Sequence, residues 1–152
     1  MTKSATCRIH NLWEKPEWIP AVANWLPQIE PPHIATPAYC NHLIQQHMGL
    51  KIPCALVAAL DGEPVASVFL GFGPAPNYGV WIKSLYVKPA HRGLGIGGAL
   101  LKQVRLHANT LGHIKRIYLM TNTATDFYCK RGWIRKNIVT IGYDRYDLLS
   151  AA

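Results

Sequence analysis

Four of the six residues from 93 to 98 are glycine, in the run Arg92-Gly-Leu-Gly-Ile-Gly-Gly98. Ahead of it, residues 80–87 (Val-Trp-Ile-Lys-Ser-Leu-Tyr-Val) are rich in β-branched and aromatic side chains, which predicts a strand. Behind it, Gly97, Leu101, Val104, Ala108 and Leu111 recur at four-three spacing, the apolar stripe of a helix over about 93–109 that Gly112 closes. Each glycine in the first turns of a helix costs up to about 1 kcal/mol relative to alanine, so four together are hard to explain as packing alone. They let the backbone curl so that successive N–H groups converge on one concavity. The helix N-terminus adds partial positive charge, and Arg92 adds a full charge with a forked set of donors. The segment reads as a cradle for a diphosphate.

Three phosphate-binding patterns compete for it. A Walker loop fits at Gly93 and Gly98, but Ala99 stands where its lysine belongs. A dinucleotide turn, GxGxxG, fits at Gly93, Gly95 and Gly98. It also needs an acidic residue about 20 positions on to hold a ribose, and no Asp or Glu occurs between Glu63 and Asp126. The third pattern, RxxGxG, is met by Arg92, Gly95 and Gly97.

The rest of the chain supplies the frame. Residues 6–9 read as a short edge strand. Trp18, Val22, Trp25 and Leu26 share one face of a helix over 16–26, which Pro27 is expected to stop. Residues 27–37 carry four prolines and read as a loop. Thr36-Pro37 opens a second helix running to about Met48. The apolar runs 54–60 and 64–72 flank Asp61-Gly62, the signal of a type I′ hairpin. After the glycine turn come a strand at 114–120, a short helix at 123–130 with Thr123 and Asp126 spaced as a capping box, and strands at 133–141 and 143–149. The order β-α-α-β-β-β-α-β-α-β-β predicts a single α+β domain over residues 1–152. Its sheet is mixed, mostly antiparallel, with one parallel strand–helix–strand crossover.

Composition narrows the function. Sixteen lysines and arginines stand against eight carboxylates, a formal net charge of +8, which attracts anions. The basic residues are scattered, so a nucleic-acid role finds little support. No apolar run reaches the length of a membrane span, and the N-terminus lacks a signal-peptide core, which predicts a cytoplasmic protein without a membrane partner. Cys7, Cys40, Cys54 and Cys129 form no CxxC and read as buried free thiols. The histidines show no HExxH, and no metal site is expected.

Residues 81–101 resemble motif A of the GCN5-related N-acetyltransferase (GNAT) superfamily. Residues 118–133, Tyr-Leu-Met-Thr-Asn-Thr-Ala-Thr-Asp-Phe-Tyr-Cys-Lys-Arg-Gly-Trp, are similar to its motif B. The element order agrees as well, and the N-terminal third is similar only in pattern. The resemblance implies acetyl-CoA as acyl donor and direct attack by an amine on the thioester. It implies that the central strand splays from its parallel neighbour, so that the donor hydrogen-bonds to exposed backbone. By that similarity Leu85, Tyr86 and Val87 line the cofactor, and the Val87 N–H polarises the thioester carbonyl. Arg92, Gly93, Leu94, Gly95, Ile96, Gly97 and Gly98 hold the diphosphate. Tyr128 is the general acid for the leaving thiolate. Asn122 stands one position away from an asparagine that many members carry at the place held here by Thr121, and is a further cofactor candidate.

The resemblance places the acceptor against the two N-terminal helices, with Glu30, His33 and the Tyr86 ring as candidate contacts. No carboxylate on residues 80–87 can serve as general base, and none is assigned elsewhere. The expected function is N-acylation of a primary amine on a small molecule or peptide, by a monomer or homodimer. The alternative is a non-catalytic CoA-binding or regulatory module on the same fold.

Overall fold

The computed structural model describes residues 7–29, 33–72, 79–111 and 116–151. Seven strands form one sheet in the order β1-β2-β3-β4-β5-β7-β6. They are β1 (Cys7–Asn11), β2 (Cys54–Leu60), β3 (Glu63–Phe72), β4 (Val80–Val87), β5 (Ile117–Thr121), β6 (Ile134–Ile141) and β7 (Asp144–Ala151). The helices are α1 (Ile19–Ile29), α2 (Pro37–Gln46), α3 (Ile96–Asn109) and α4 (Thr125–Cys129), with short 3₁₀ turns before α1 and between β4 and α3. The order of elements is the one expected from the sequence. Helices lie on both faces of the sheet. Helices α1 and α2 cover Ala55, Val57, Phe69 and Tyr86, while α3 and α4 cover Leu56, Val68, Leu70, Val80 and Ile82.

Asp61 and Gly62 both take positive φ (49° and 85°), as a type I′ turn requires, and join β2 to β3. The α3 stripe packs as its spacing predicts, with Leu101, Val104 and Ala108 buried and Ile96 and Leu100 added to it. Thr36 caps α2, its hydroxyl accepting from the Tyr39 N–H at 3.2 Å.

Three local expectations are corrected. Pro27 does not stop the first helix, which begins later, at Ile19, and runs through it to Ile29. In the last turn the missing proline N–H removes a single helical bond, and Gln28 Nε2 caps the neighbouring carbonyl of Asn24 at 3.4 Å. Thr123 does not cap α4. Ala124 holds that position, and its N–H is taken by Thr121 Oγ1 at 3.0 Å. Thr125 instead donates to Asp147 Oδ2 of β7 at 2.6 Å, which ties the start of α4 to the sheet. Of the four thiols, Cys40 and Cys54 are buried, but Cys7 and Cys129 are exposed. Burial pushes the Cys54 thiol up to about 11.

Candidate functional site

The site is a gap in the sheet. The parallel pair β4–β5 is joined only at Val80↔Ile117 and Trp81↔Tyr118, although β4 continues to Val87 and β5 to Thr121. A bulge sits on the other edge of β4. Lys83 faces Phe69 and Tyr86 faces Ser67, so Ser84 and Leu85 together oppose one residue of β3. Ser84 takes φ +55°, a conformation that non-glycine residues rarely adopt and that a bulge supplies. The bulge bends β4, and nothing in the residue types around Ser84 announces it.

Past the bulge the ladder resumes, and its phase decides which groups are free. Lys88 N donates to Val65 O at 2.9 Å, which makes Val87↔Ala66 a non-hydrogen-bonded pair. The Val87 N–H therefore points away from β3, to the side that β5 has left. By the same alternation the backbone groups of Tyr86 face β3. Its ring packs on the α1 side against Trp25, with centroids 5.6 Å apart, and its hydroxyl donates to Gln28 Oε1 at 2.8 Å. Tyr86 thus turns neither backbone nor side chain to the side of β4 that β5 has left. Leu85 and Val87 pack toward α3 and α4.

The turn after β4 places the glycines differently from one another. Gly93 (φ +80°) and Gly95 (φ +81°) have open space where a Cβ would be, and Leu94 between them is exposed. Gly95 is the N-cap of α3, and the first intrahelical bond runs from Ala99 N to Gly95 O at 3.0 Å. The N–H groups of Ile96, Gly97 and Gly98 accordingly have no carbonyl one turn back and form the donor set of a helix N-terminus. Gly97 is buried, and a Cβ there would lie 3.1 Å from Phe127 Cζ. Its missing side chain serves helix packing, and only its N–H faces outward. Arg92 does not reach along α3. Its Nε donates to Val87 O at 2.9 Å, and its guanidinium lies over the Tyr86 ring at 5.6 Å.

Tyr128, on α4, lies in the same apolar cluster as Leu85, Val87 and Ala124. Its ring meets Phe127 and Trp133 edge to face, at 5.1 and 5.8 Å. Burial pushes its hydroxyl up to about 12, so it keeps its proton throughout the neutral and mildly alkaline range. Asn122 and His33 are exposed, the latter in the turn ahead of α2, and Glu30 lies outside the described residues. Among the described residues no three His, Cys, Asp or Glu side chains come together as a metal site. None of the described helices is long and apolar enough to cross a membrane. Sequence reasoning missed Gln28, whose partner is 58 residues away, and Arg131, which follows α4 and lies against α3.

Residues 52–135 match the acetyltransferase (GNAT) domain, more than half of the chain. No curated protein matches the sequence significantly. The fold is shared with an aminoglycoside 6′-N-acetyltransferase solved in complex with coenzyme A, with a TM-score of 0.78 at 15% identity over 95% of this chain and 96% of that one. It is shared with Ard1 from Thermoplasma volcanium, with a TM-score of 0.73 at 17% identity over 98% and 97%. An IAA acetyltransferase from Bacillus cereus superposes with a TM-score of 0.65 at 17% identity over 95% and 98%.

Proposed function

The chain belongs to the GNAT acetyltransferase family, and from that premise we propose that it transfers an acetyl group from acetyl-CoA to a primary amine of a small molecule or peptide. The observation that carries this reading is the gap between β4 and β5, with the Val87 N–H directed into it and the α3 N-terminus at its mouth. The free N–H groups at the start of α3, and the open space at Gly93 and Gly95, suit a diphosphate.

Acetyl-CoA supplies a thioester, and the chain's residues hold it and manage charge. The Val87 N–H is oriented to donate to the carbonyl oxygen and to stabilise the negative charge that develops there when an amine nitrogen attacks the carbon. The C–N bond forms, the C–S bond breaks, and the departing thiolate takes the Tyr128 hydroxyl proton. The amine's proton leaves to solvent, and solvent returns one proton to the Tyr128 oxygen, which restores the hydroxyl. A thiol near 8.5 and a phenol near 12 differ by about 3.5 units, roughly 5 kcal/mol uphill if the thiolate were hydrated. A thiolate leaving beside the apolar cluster of Leu85, Val87, Ala124 and Tyr128 would also be poorly solvated, which would raise its own proton affinity and narrow the difference.

A second reading, a CoA-binding module without catalysis, is favoured by the absence of any carboxylate on β4. Calorimetry with acetyl-CoA and with NADH, followed by a CoA-release assay over amines, peptides and protein N-termini, separates these readings. Acetyl-CoA should bind 1:1 and some acceptor should release CoA. Tighter binding of NADH overturns the proposal, and CoA binding without turnover on any amine favours the module.

A further inference from the structure

The first turn of α3 carries a guanidinium that the glycine motif does not supply. Arg131, just past α4, donates from Nη1 to the Phe127 carbonyl at 2.8 Å, and its Cζ lies 3.7 Å from the centre of the Phe127 ring. Phe127 is itself pressed against Gly97. A Cβ built on Gly98 would lie 3.4 Å from Arg131 Nε, so the side chain rests on the helix beside its free N–H groups. Arg92 is turned the other way, onto Val87 O and Tyr86.

This is an unfavourable place for a lone cation. The N-terminus of a helix carries partial positive charge and repels one. Among the described residues no carboxylate pairs with Arg131, and the nearby ion pair of β6 and β7 joins Arg135 to Asp147. Stacking on Phe127 and the bond to its carbonyl hold the guanidinium there, using one of its five N–H donors and leaving a fork free. Two positive features fixed side by side are relieved by an anion that both can bind, and phosphate oxygens match the fork.

We propose that Arg131 is a phosphate-binding residue of the acyl-CoA site, laid against α3 by Phe127 to meet a phosphate that Arg92, turned toward β4, does not serve. The inference rests on acetyl-CoA being the donor, and it concerns a residue outside the glycine motif.

The test is the affinity of wild type, Arg131→Ala and Arg131→Lys for CoA, 3′-dephospho-CoA and pantetheine, followed by tryptophan fluorescence, with thermal melting as a check on folding. Arg131→Ala should weaken CoA binding about tenfold or more, the scale of a lost charge-assisted hydrogen bond. Lysine should recover part of it, and pantetheine, which has no phosphate, should bind all variants alike. If the loss persists with 3′-dephospho-CoA the partner is the diphosphate, and if it vanishes the partner is the 3′-phosphate. Unchanged CoA affinity in Arg131→Ala overturns the proposal. So does an equal loss for CoA and pantetheine, which would mean that Arg131 only holds Phe127 and α4 in place. Should the alanine variant melt early, Arg131→Gln, which keeps the stem and an amide donor, gives the same comparison. Failure of wild type to bind CoA would instead overturn the donor assignment itself.

Discussion

The Tyr86 hydroxyl donates a 2.8 Å hydrogen bond to Gln28 Oε1, joining the end of β4 to the last turn of α1. The same ring is flanked by Trp25 and by the Arg92 guanidinium. The link crosses the face of the sheet opposite α3, so it shapes the N-terminal wall of the gap.

Tyr86→Phe should therefore raise KM for the acceptor and leave KM for acetyl-CoA unchanged. The stability loss should be about 1 kcal/mol, the net worth of one hydrogen bond. Steady-state kinetics with each substrate varied in turn checks it. A rise confined to acetyl-CoA would contradict the placement of the ring on the α1 side.

Two glycines of the turn should fail for different reasons. Gly95→Ala meets no neighbouring atom, but φ +81° is left-handed, which costs a residue with a Cβ about 1–2 kcal/mol. It should melt only slightly earlier and bind acetyl-CoA more weakly, because its Cβ enters the open space that suits the diphosphate. Gly97→Val pushes into Phe127, whose Cζ is only 3.1 Å from the Cβ position, and so displaces the ring on which Arg131 stacks. It should melt markedly earlier and lose the donor. Thermal melting with and without acetyl-CoA distinguishes the two, and a Gly97→Val that melts like wild type would refute the packing role.

The glycine turn, the hairpin and the alternation of β-branched runs with a helical stripe were enough to give the order of elements, because each is a local signal. The gap was expected only through family resemblance. Its physical cause, the bulge at Ser84, arises from pairing with β3 and leaves no mark in the residue types. Pro27 misled because a proline in a last turn removes only one bond. The two arginines show the same limit at the site. The motif marks Arg92, but which guanidinium lies on α3 depends on where Phe127 meets Gly97 and Arg131 meets Gly98 in space.

Tyr128→Phe should lower kcat about 10²–10⁴-fold with acetyl-CoA affinity retained. Below pH 10 its pH profile should keep the shape of the wild type, because a hydroxyl pushed up to about 12 stays protonated there. The raised value also sets a sign for stability. Between the unfolded value near 10 and about 12 the folded state binds the extra proton, so stability is full below pH 10 and falls as pH rises through that window. Phenylalanine should remove this part of the alkaline loss. A wild-type kcat falling near pH 8 to 9, absent in the variant, would show that the hydroxyl ionises much earlier.

The acceptor should be neutral or acidic around its amine rather than a polycation. No carboxylate occurs between Glu63 and Asp126, a span that includes β4, the turn and α3. The β4 face toward α1 and α2 carries Lys83. Nearby, the His47 imidazole is held below its ordinary value by burial first and then by the Lys83 charge, although its bond to the Leu43 carbonyl opposes the shift. Glu14 and Glu17 sit in the turns after β1, and β1 is three strands from β4, roughly 14 Å away at the usual strand spacing. They are badly placed to replace the hydration that a multiply charged cation would lose in the gap. The net positive field should also slow the approach of cations and speed that of anions, more so at low salt. Spermidine and kanamycin compared with an amino acid and an acidic peptide, at low and high salt, test this. Efficient acetylation of the two polycations with no turnover of the others would overturn it. A rate on the acidic peptide that falls as salt is added would match the field that Lys83 and its neighbours create.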